Sequence, residues 1–290
     1  APYLPSSLEA VVEGLALRGP EGALTSVSCA VASVFVQDKT KSNLLAVLVS
    51  TTTGAALAAT TWPAAGLSGH VHNAVAGGLL GAFQTYRADK TADTRGAGSF
   101  GTLVAGPLLA GPSKVAAGIG AASAHHFVGD RPRLKPLVAA GVGGALGAGL
   151  AAVGFAPLAV IPISAAAAAA GTIVGPRYSQ AFRNLSKTIG SGVERGLKRL
   201  GLIQNPLNPR LRNSIGAFPS GAAKEGVNGL VYADGHLIGL IAGAGMEIIH
   251  QVSVFAFSPS NHPQPNHVVH PATQFDVAGD DQAGGGEGLR

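Results

Sequence analysis

Long stretches without charged residues dominate the pattern of polar and apolar positions along this chain. Residues 43–69 contain no Asp, Glu, Lys or Arg, and neither do the 41 residues from Pro136 to Pro176. A helix needs about 20 apolar residues to cross the roughly 30 Å hydrocarbon core of a bilayer. The first stretch is therefore long enough for one crossing and the second for two. A buried core helix is the alternative for residues 43–69, although Trp62 is typical of a membrane interface.

The second uncharged stretch predicts a helical hairpin. Pro157 lies at its middle and favours a turn, so we expect arms at residues 137–154 and 158–174. Small residues recur at every fourth position on the first arm, and such a face lets another helix approach closely in lipid. The predicted helix-packing residues are Gly143, Gly144, Gly147, Ala148 and Ala151.

A basic amphipathic helix is predicted over residues 177–203. Apolar residues recur there at spacings of three and four from Phe182 to Leu200, and basic residues occupy the other faces. We expect this helix to lie on an anionic membrane surface, and an ordinary solvated helix packed on a partner is the alternative. The residues predicted to contact anionic lipid are Arg183, Lys187, Arg195, Lys198 and Arg199.

Glycine and proline divide the rest of the chain into regions. A helix near the N-terminus should end at Gly19–Pro20, and Pro107 and Pro112 should separate two short helices. The predicted regions are residues 1–42 (N-terminal amphipathic and short apolar helices), 43–176 (a membrane-embedded helical region), 177–203 (the basic amphipathic helix), 204–221 (a linker containing three prolines), 222–257 (a C-terminal helix or mixed segment) and 258–290 (an extended tail).

The amount and distribution of charge favour a lipid environment. Charged residues make up only 12% of the chain, against about 25% in ordinary globular proteins, and a water-soluble monomer needs charge on its surface. Up to Arg212 there are 18 Lys and Arg and 8 Asp and Glu, whereas beyond it there are 2 and 7. The basic first part suits anionic lipid, and nucleic acid is not an expected partner.

No constellation of residues in the sequence predicts catalysis. G-x-S-x-G and H-E-x-x-H motifs are absent, and the phosphate-loop match GPLLAGPSK places Pro-Ser before its lysine. The histidines of the H-x-H and His-His motifs have no Cys or carboxylate at close metal-ligand spacing. Glu247 and His250 lie three residues apart, and they would form an intramembrane polar pair if their helix crosses a bilayer. We therefore expect no enzyme, cofactor or metal site.

Together these patterns predict an all-α protein of the membrane. The expected architecture is a multi-helix, membrane-embedded bundle with a Gly/Ala-rich helical hairpin, a basic amphipathic helix and an extended C-terminal tail. The leading function is a non-enzymatic helical component of a membrane complex, which forms or lines a passage or serves as a structural subunit. The alternatives are a membrane-inserting pore-forming effector or virion ejection protein, and a shell or scaffold subunit packed on protein partners. The expected partners are the lipid bilayer, anionic lipid, and other subunits or copies of the chain itself.

The hairpin generates a prediction at Gly147. Leucine at this position would force side-chain bulk between two closely packed backbones in lipid, whereas in a water-exposed helix it would replace a poor helix former. We expect Gly147→Leu to weaken assembly in detergent or membrane, measured by cross-linking, and Ala169→Leu on the other arm to be milder. Equal damage from both substitutions would contradict the close-packing face.

Overall fold

The computed structural model describes residues 4–87, 92–110, 113–129 and 131–232, together with seven single positions between 237 and 248. These residues form helices joined by short connections, and none of them lies in a strand, so the predicted all-α class is confirmed. The helices are α1 (Leu4–Thr40), α2 (Asn43–Thr61), α3 (Gly66–Arg87), α4 (Ala92–Ala105), α5 (Ser113–Val128), α6 (Lys135–Ala152), α7 (Val160–Arg199) and α8 (Pro209–Tyr232).

A kink divides α1 where the sequence predicts the end of a helix. Arg18 (φ −151°, ψ 22°) and Gly19 (φ 66°, ψ −151°) leave helical values immediately before Pro20. A positive φ is readily adopted by glycine, which has no Cβ. The backbones on either side of the kink lie close together, because a Cβ at Gly14 would collide with the backbone of Gly22.

Three antiparallel helix pairs, α2–α3, α4–α5 and α6–α7, make up most of the bundle. Their short connections bring each pair into direct contact, and α7 also packs on α4, α5 and α8. Pro107 lies in the connection between α4 and α5, where the sequence predicts a break, and Pro112 lies outside the described residues. Contacts of α5 with α3 and α6 join the three pairs, and α1 packs on α2 and α3.

The basic amphipathic segment is not a separate helix, because α7 continues through Pro176 to Arg199. Proline has no N–H, so it leaves the carbonyl four residues earlier without its helical donor. That carbonyl belongs to Thr172, and Nε2 of His125 in α5 lies 3.3 Å from it and donates to it. A side chain from another helix thus replaces the lost bond. The resulting helix has 40 residues and is about 60 Å long.

The predicted linker at residues 204–221 is largely helical. Helix α8 begins at Pro209, and proline is well suited to a first helical position because its φ is already close to the helical value. The connection between α7 and α8 is confined to residues 200–208. The described positions between 237 and 248 are also helical, and Gly243 lies against the backbone of Glu225. Glu247, His250 and the predicted tail at 258–290 lie outside the described residues.

Within the part of the chain that the structure describes, four helices are long and apolar enough to cross a membrane. Their length and composition agree with the predicted membrane location. The four candidates are Arg18–Thr40, Asn43–Thr61, Lys135–Ala152 and Val160–Arg199.

Candidate functional site

On α2, α6 and the apolar half of α7, mostly small side chains face the interior of the bundle and large apolar side chains face outward. On α2 the buried residues are Ala46, Ser50, Gly54 and Ala58, which form one stripe at a spacing of four. Leucine lies on the opposite side, where Leu44 is 57% exposed. A helix packed on a water-soluble core normally buries its large apolar residues, so α2 has the inverse arrangement.

Helices α6 and α7 show the same inversion. The buried residues of α6 include Ala139, Gly143 and Gly147, whereas Leu137 is 70% exposed. On α7, Ile173 is exposed and the buried positions of its apolar half are almost all small. Those positions are Val160, Ser164, Ala167, Ala168, Gly171, Thr172 and Gly175.

Gly143 lies at the closest approach of three helices. A Cβ at this position would lie 2.7 Å from the backbone oxygen of Ser164 in α7 and 2.9 Å from the Cβ of Ala168. On the other side, a Cβ at Gly120 of α5 would lie 2.8 Å from the backbone nitrogen of Gly143. Backbone atoms cannot move aside as a flexible side chain can, so this contact requires glycine.

The other predicted packing residues of α6 differ in their surroundings. A Cβ at Gly147 would lie 3.1 Å from the Cα of Ile161, and one at Gly144 would lie 3.4 Å from the Cβ of Ala165. Ala151 borders an apolar cluster that includes Val160 and Ala167. Ala148 lies on an exposed side of α6.

Close glycine contacts also join helices for which the sequence analysis makes no packing prediction. In the α2–α3 pair, a Cβ at Gly54 would collide with the backbone of Gly77, and one at Gly81 with the backbone of Ser50. In the α7–α8 pair, a Cβ at Gly216 would collide with the backbone of Ser186. The four-residue spacing of small residues along α2 is the signal that could have identified the first of these contacts.

Buried polar side chains add hydrogen bonds between helices. Ser50 Oγ of α2 donates to the carbonyl of Gly81 in α3 over 2.7 Å, and Gln84 Nε2 of α3 donates to Ser26 Oγ of α1 over 2.8 Å. Asn43 Nδ2 and His126 Nε2 lie 2.8 Å apart and connect α2 to α5. Polar residues that bond across helices stabilise membrane bundles together with small residues.

Trp62 belongs to the protein interior rather than to an exposed boundary. It is 7% exposed, and its Nε1 donates to Thr25 Oγ1 of α1 over 3.1 Å. The guanidinium of Arg18 lies 5.6 Å from the centre of the tryptophan ring, within the range of a cation–π contact. Trp62 therefore fixes the end of α2 against α1.

Lys114, in the first turn of α5, is fully buried. Its Nζ donates to the backbone carbonyl of Val231 in α8 over 2.6 Å. A buried ammonium is costly unless it is hydrogen-bonded, so this contact with α8 stabilises the lysine and ties α8 to the start of α5.

The basic half of α7 presents most of its cations to solvent. Lys187, Arg195, Lys198 and Arg199 are exposed, and Arg183 is half-buried. Lys198 Nζ lies 2.9 Å from the carboxylate of Glu194, and this hydrogen bond lowers the pKa of Glu194. Arg212 of α8 lies 3.6 Å from the same carboxylate. One acidic side chain therefore joins α7 to α8, and the remaining cations are available to an anionic surface.

The described residues contain no group of three or more His, Cys, Asp and Glu placed to hold a metal ion. His125 bonds to the carbonyl of Thr172 in α7, and His126 bonds to Asn43 in α2. His72 stacks on Phe155 with ring centres 5.6 Å apart. These three histidines therefore connect helices to one another or to a neighbouring connection. No protein-family model, curated protein or solved structure matches the chain.

The geometry of α6 generates a matched pair of substitutions. Gly143→Ala would place a methyl group against backbone atoms of α7, whereas Gly141→Ala adds one in open space. We expect Gly143→Ala to destabilise the bundle by about 1–3 kcal/mol because overpacking forces the helices apart. Gly141→Ala should be neutral or stabilising by up to about 1 kcal/mol, because alanine is the better helix former.

Thermal unfolding of both variants in the same detergent measures the difference. Equal melting temperatures would show that α6 does not pack closely on α7.

Proposed function

We propose that the chain is a non-enzymatic helical component of a membrane complex, which forms or lines a passage or occupies a structural place among other subunits. The observation that supports this proposal is the inverted side-chain arrangement of α2, α6 and α7. Their buried stripes are made of small residues, and exposed leucines such as Leu44 and Leu137 cover the outside. Lipid hydrocarbon accommodates such an outer surface without loss of free energy.

Water would be a poor solvent for this arrangement. In water, burying a leucine side chain contributes about 1.5–3 kcal/mol to the free energy of folding. The exposed leucines of this bundle would not make most of that contribution. Alanine and glycine in the interior bury little apolar area in exchange. In lipid the same bundle is favourable, because close backbone contact and interhelical hydrogen bonds hold helices together there.

The proposed location is a membrane, and the proposed partners are lipid and other protein subunits or copies of the chain. The exposed cations of Lys187, Arg195 and Arg199 lie on the part of α7 that follows its apolar half. Anionic headgroups would bind them there. Lysine and arginine near membrane helices favour the inner side. A helix that packs against partner subunits or lines a passage needs no chemically reactive side chain. The proposal therefore requires no catalytic residue.

Fractionation of cells that express the native chain tests the proposal. We expect the protein to stay in the membrane pellet through alkaline carbonate and to enter solution in detergent as a defined assembly. Release by carbonate without detergent would contradict membrane embedding. A discrete, detergent-free oligomer would instead support a shell or scaffold subunit.

A second measurement separates a complex component from a pore-forming effector. The purified chain is reconstituted alone in liposomes, and ion conductance is recorded with empty liposomes as the control. We expect no conductance above the control if partner subunits complete the passage or if the role is structural. Conductance by the chain alone would favour the effector.

A further inference from the structure

From α1 to α7, charged and uncharged connections alternate along the helical bundle. The connections α1–α2 (residues 41–42), α3–α4 (residues 88–91) and α5–α6 (residues 129–134) each contain Lys or Arg. The connections within the three pairs contain no charged residue, and they are residues 62–65, 106–112 and 153–159. Since successive helices run in opposite directions, the described helix ends that flank the two kinds of connection lie at opposite ends of the bundle, named here the charged end and the uncharged end.

Contacts between different pairs support this division. At the charged end, Asn43 at the start of α2 bonds to His126 at the end of α5. At the uncharged end, His72 near the start of α3 stacks on Phe155 in the α6–α7 connection. The ends of separate pairs are therefore side by side.

The uncharged end exposes large apolar side chains. Leu67 is 81% exposed, Leu108 65% and Leu158 76%. Beside Leu108, an apolar groove of about 420 Å³ runs between α4 and α7 and is lined by Val104, Ile163 and several alanines. Turns that project into water normally carry polar residues, and exposed apolar patches mark interaction surfaces.

We propose that the uncharged end is a lipid-contacting surface that lies within or across the hydrocarbon of a membrane, with all three charged connections left on one side. This inference rests on the proposed membrane function and adds an orientation to it. The physical reason is the segregation of charge, because one lysine at the bilayer centre disfavours insertion by about one hundredfold. A protein partner would require no such segregation, since charged and apolar contacts can coexist at a protein interface.

Helix lengths place the α4–α5 and α2–α3 connections at different depths. Helices α4 and α5 have 14 and 16 residues and span about 21–24 Å, so their connection ends inside the roughly 30 Å hydrocarbon core. Helices α2 and α3 have 19 and 22 residues and reach about 28–33 Å. Their connection therefore lies at the far headgroups, which the exposed guanidinium of Arg18 beside the buried Trp62 can contact.

Lys114 is the one charged residue between residues 96 and 129, and it lies near the uncharged end. It is fully buried and donates to the carbonyl of Val231. Protein rather than lipid therefore surrounds its ammonium, so Lys114 is compatible with a lipid-facing exterior at this end.

Single-cysteine probes test the orientation. In a Cys29→Ser background, an environment-sensitive fluorophore is attached to Leu67→Cys, Leu108→Cys or Leu158→Cys, and to Lys41→Cys, Arg95→Cys or Arg133→Cys as charged-end controls. The full chain is reconstituted in vesicles with lipids brominated on their acyl chains. We expect bromolipid to quench the probes at 108 and 158 and aqueous iodide to quench those at 41, 95 and 133. The probe at 67 should respond as an interfacial group.

Three outcomes would overturn the orientation. Iodide quenching at 108 and 158 equal to that at 41 would place the uncharged end in water. Shielding from iodide without bromolipid quenching would mean that a protein surface, including a second copy, covers it. Labelling of 41 and 133 on opposite sides of the membrane by an impermeant thiol reagent would contradict the one-sided arrangement. Failure of the chain to float with vesicles at all would instead remove the proposed membrane function.

A matched pair of charge substitutions gives an independent readout. Leu158 and Leu134 are both exposed leucines, but Leu158 lies at the uncharged end and Leu134 in the α5–α6 connection. We expect Leu158→Lys to reduce the ratio of vesicle-bound to free protein by roughly tenfold or more, and Leu134→Lys to leave it unchanged. Equal effects of the two substitutions would contradict the proposal.

Discussion

Close approach of helix backbones is the constraint on which the rest of the structure depends. At Gly143, backbone and side-chain atoms of α7 leave no room for a Cβ, a Cβ at Gly120 of α5 would meet the backbone of Gly143, and the Gly54–Gly77 contact is closer still. Helix contacts of this kind admit mainly glycine, alanine, serine and threonine. On α2 and α6 most of the large apolar side chains then lie outside, which accounts for the exposed leucines of these helices. The arrangement suits lipid because small residues promote helix association there.

Polar groups inside the bundle follow the same constraint. Serine and asparagine are small enough to enter the contacts, and Ser50 Oγ satisfies its hydrogen bond on the carbonyl of Gly81. Lys114 is larger, and the carbonyl of Val231 in α8 accepts its bond. Other cations lie in or beside connections, such as Lys41 and Arg133, and along the basic half of α7. The separation of a small-residue interior, an apolar exterior and charged connections thus supports the proposed membrane role.

The sequence predicts the features that depend on local chemistry. Uncharged length and proline position indicate helices at α6 and α7 and the break between α4 and α5, and four-residue spacing indicates the row that contains Gly143. The predicted segment 43–69 instead divides into α2 and the start of α3. Long-range contacts carry no such signal. The continuity of α7 depends on His125, which donates to the carbonyl that Pro176 leaves without a helical donor. The linker prediction treats each proline as a breaker, whereas Pro209 begins α8.

Photolabelling with a lipid-soluble carbene reagent tests most directly whether lipid solvates the outer surface. The native chain is labelled in vesicles and the modified residues are identified by mass spectrometry. The account predicts labelling of exposed Leu44, Leu48 and Leu137, and no labelling of the large buried side chains Phe83 and Tyr86. Labelling of Phe83 and Tyr86 with protection of the three leucines would contradict the account, because it would mean that the leucines form the interior.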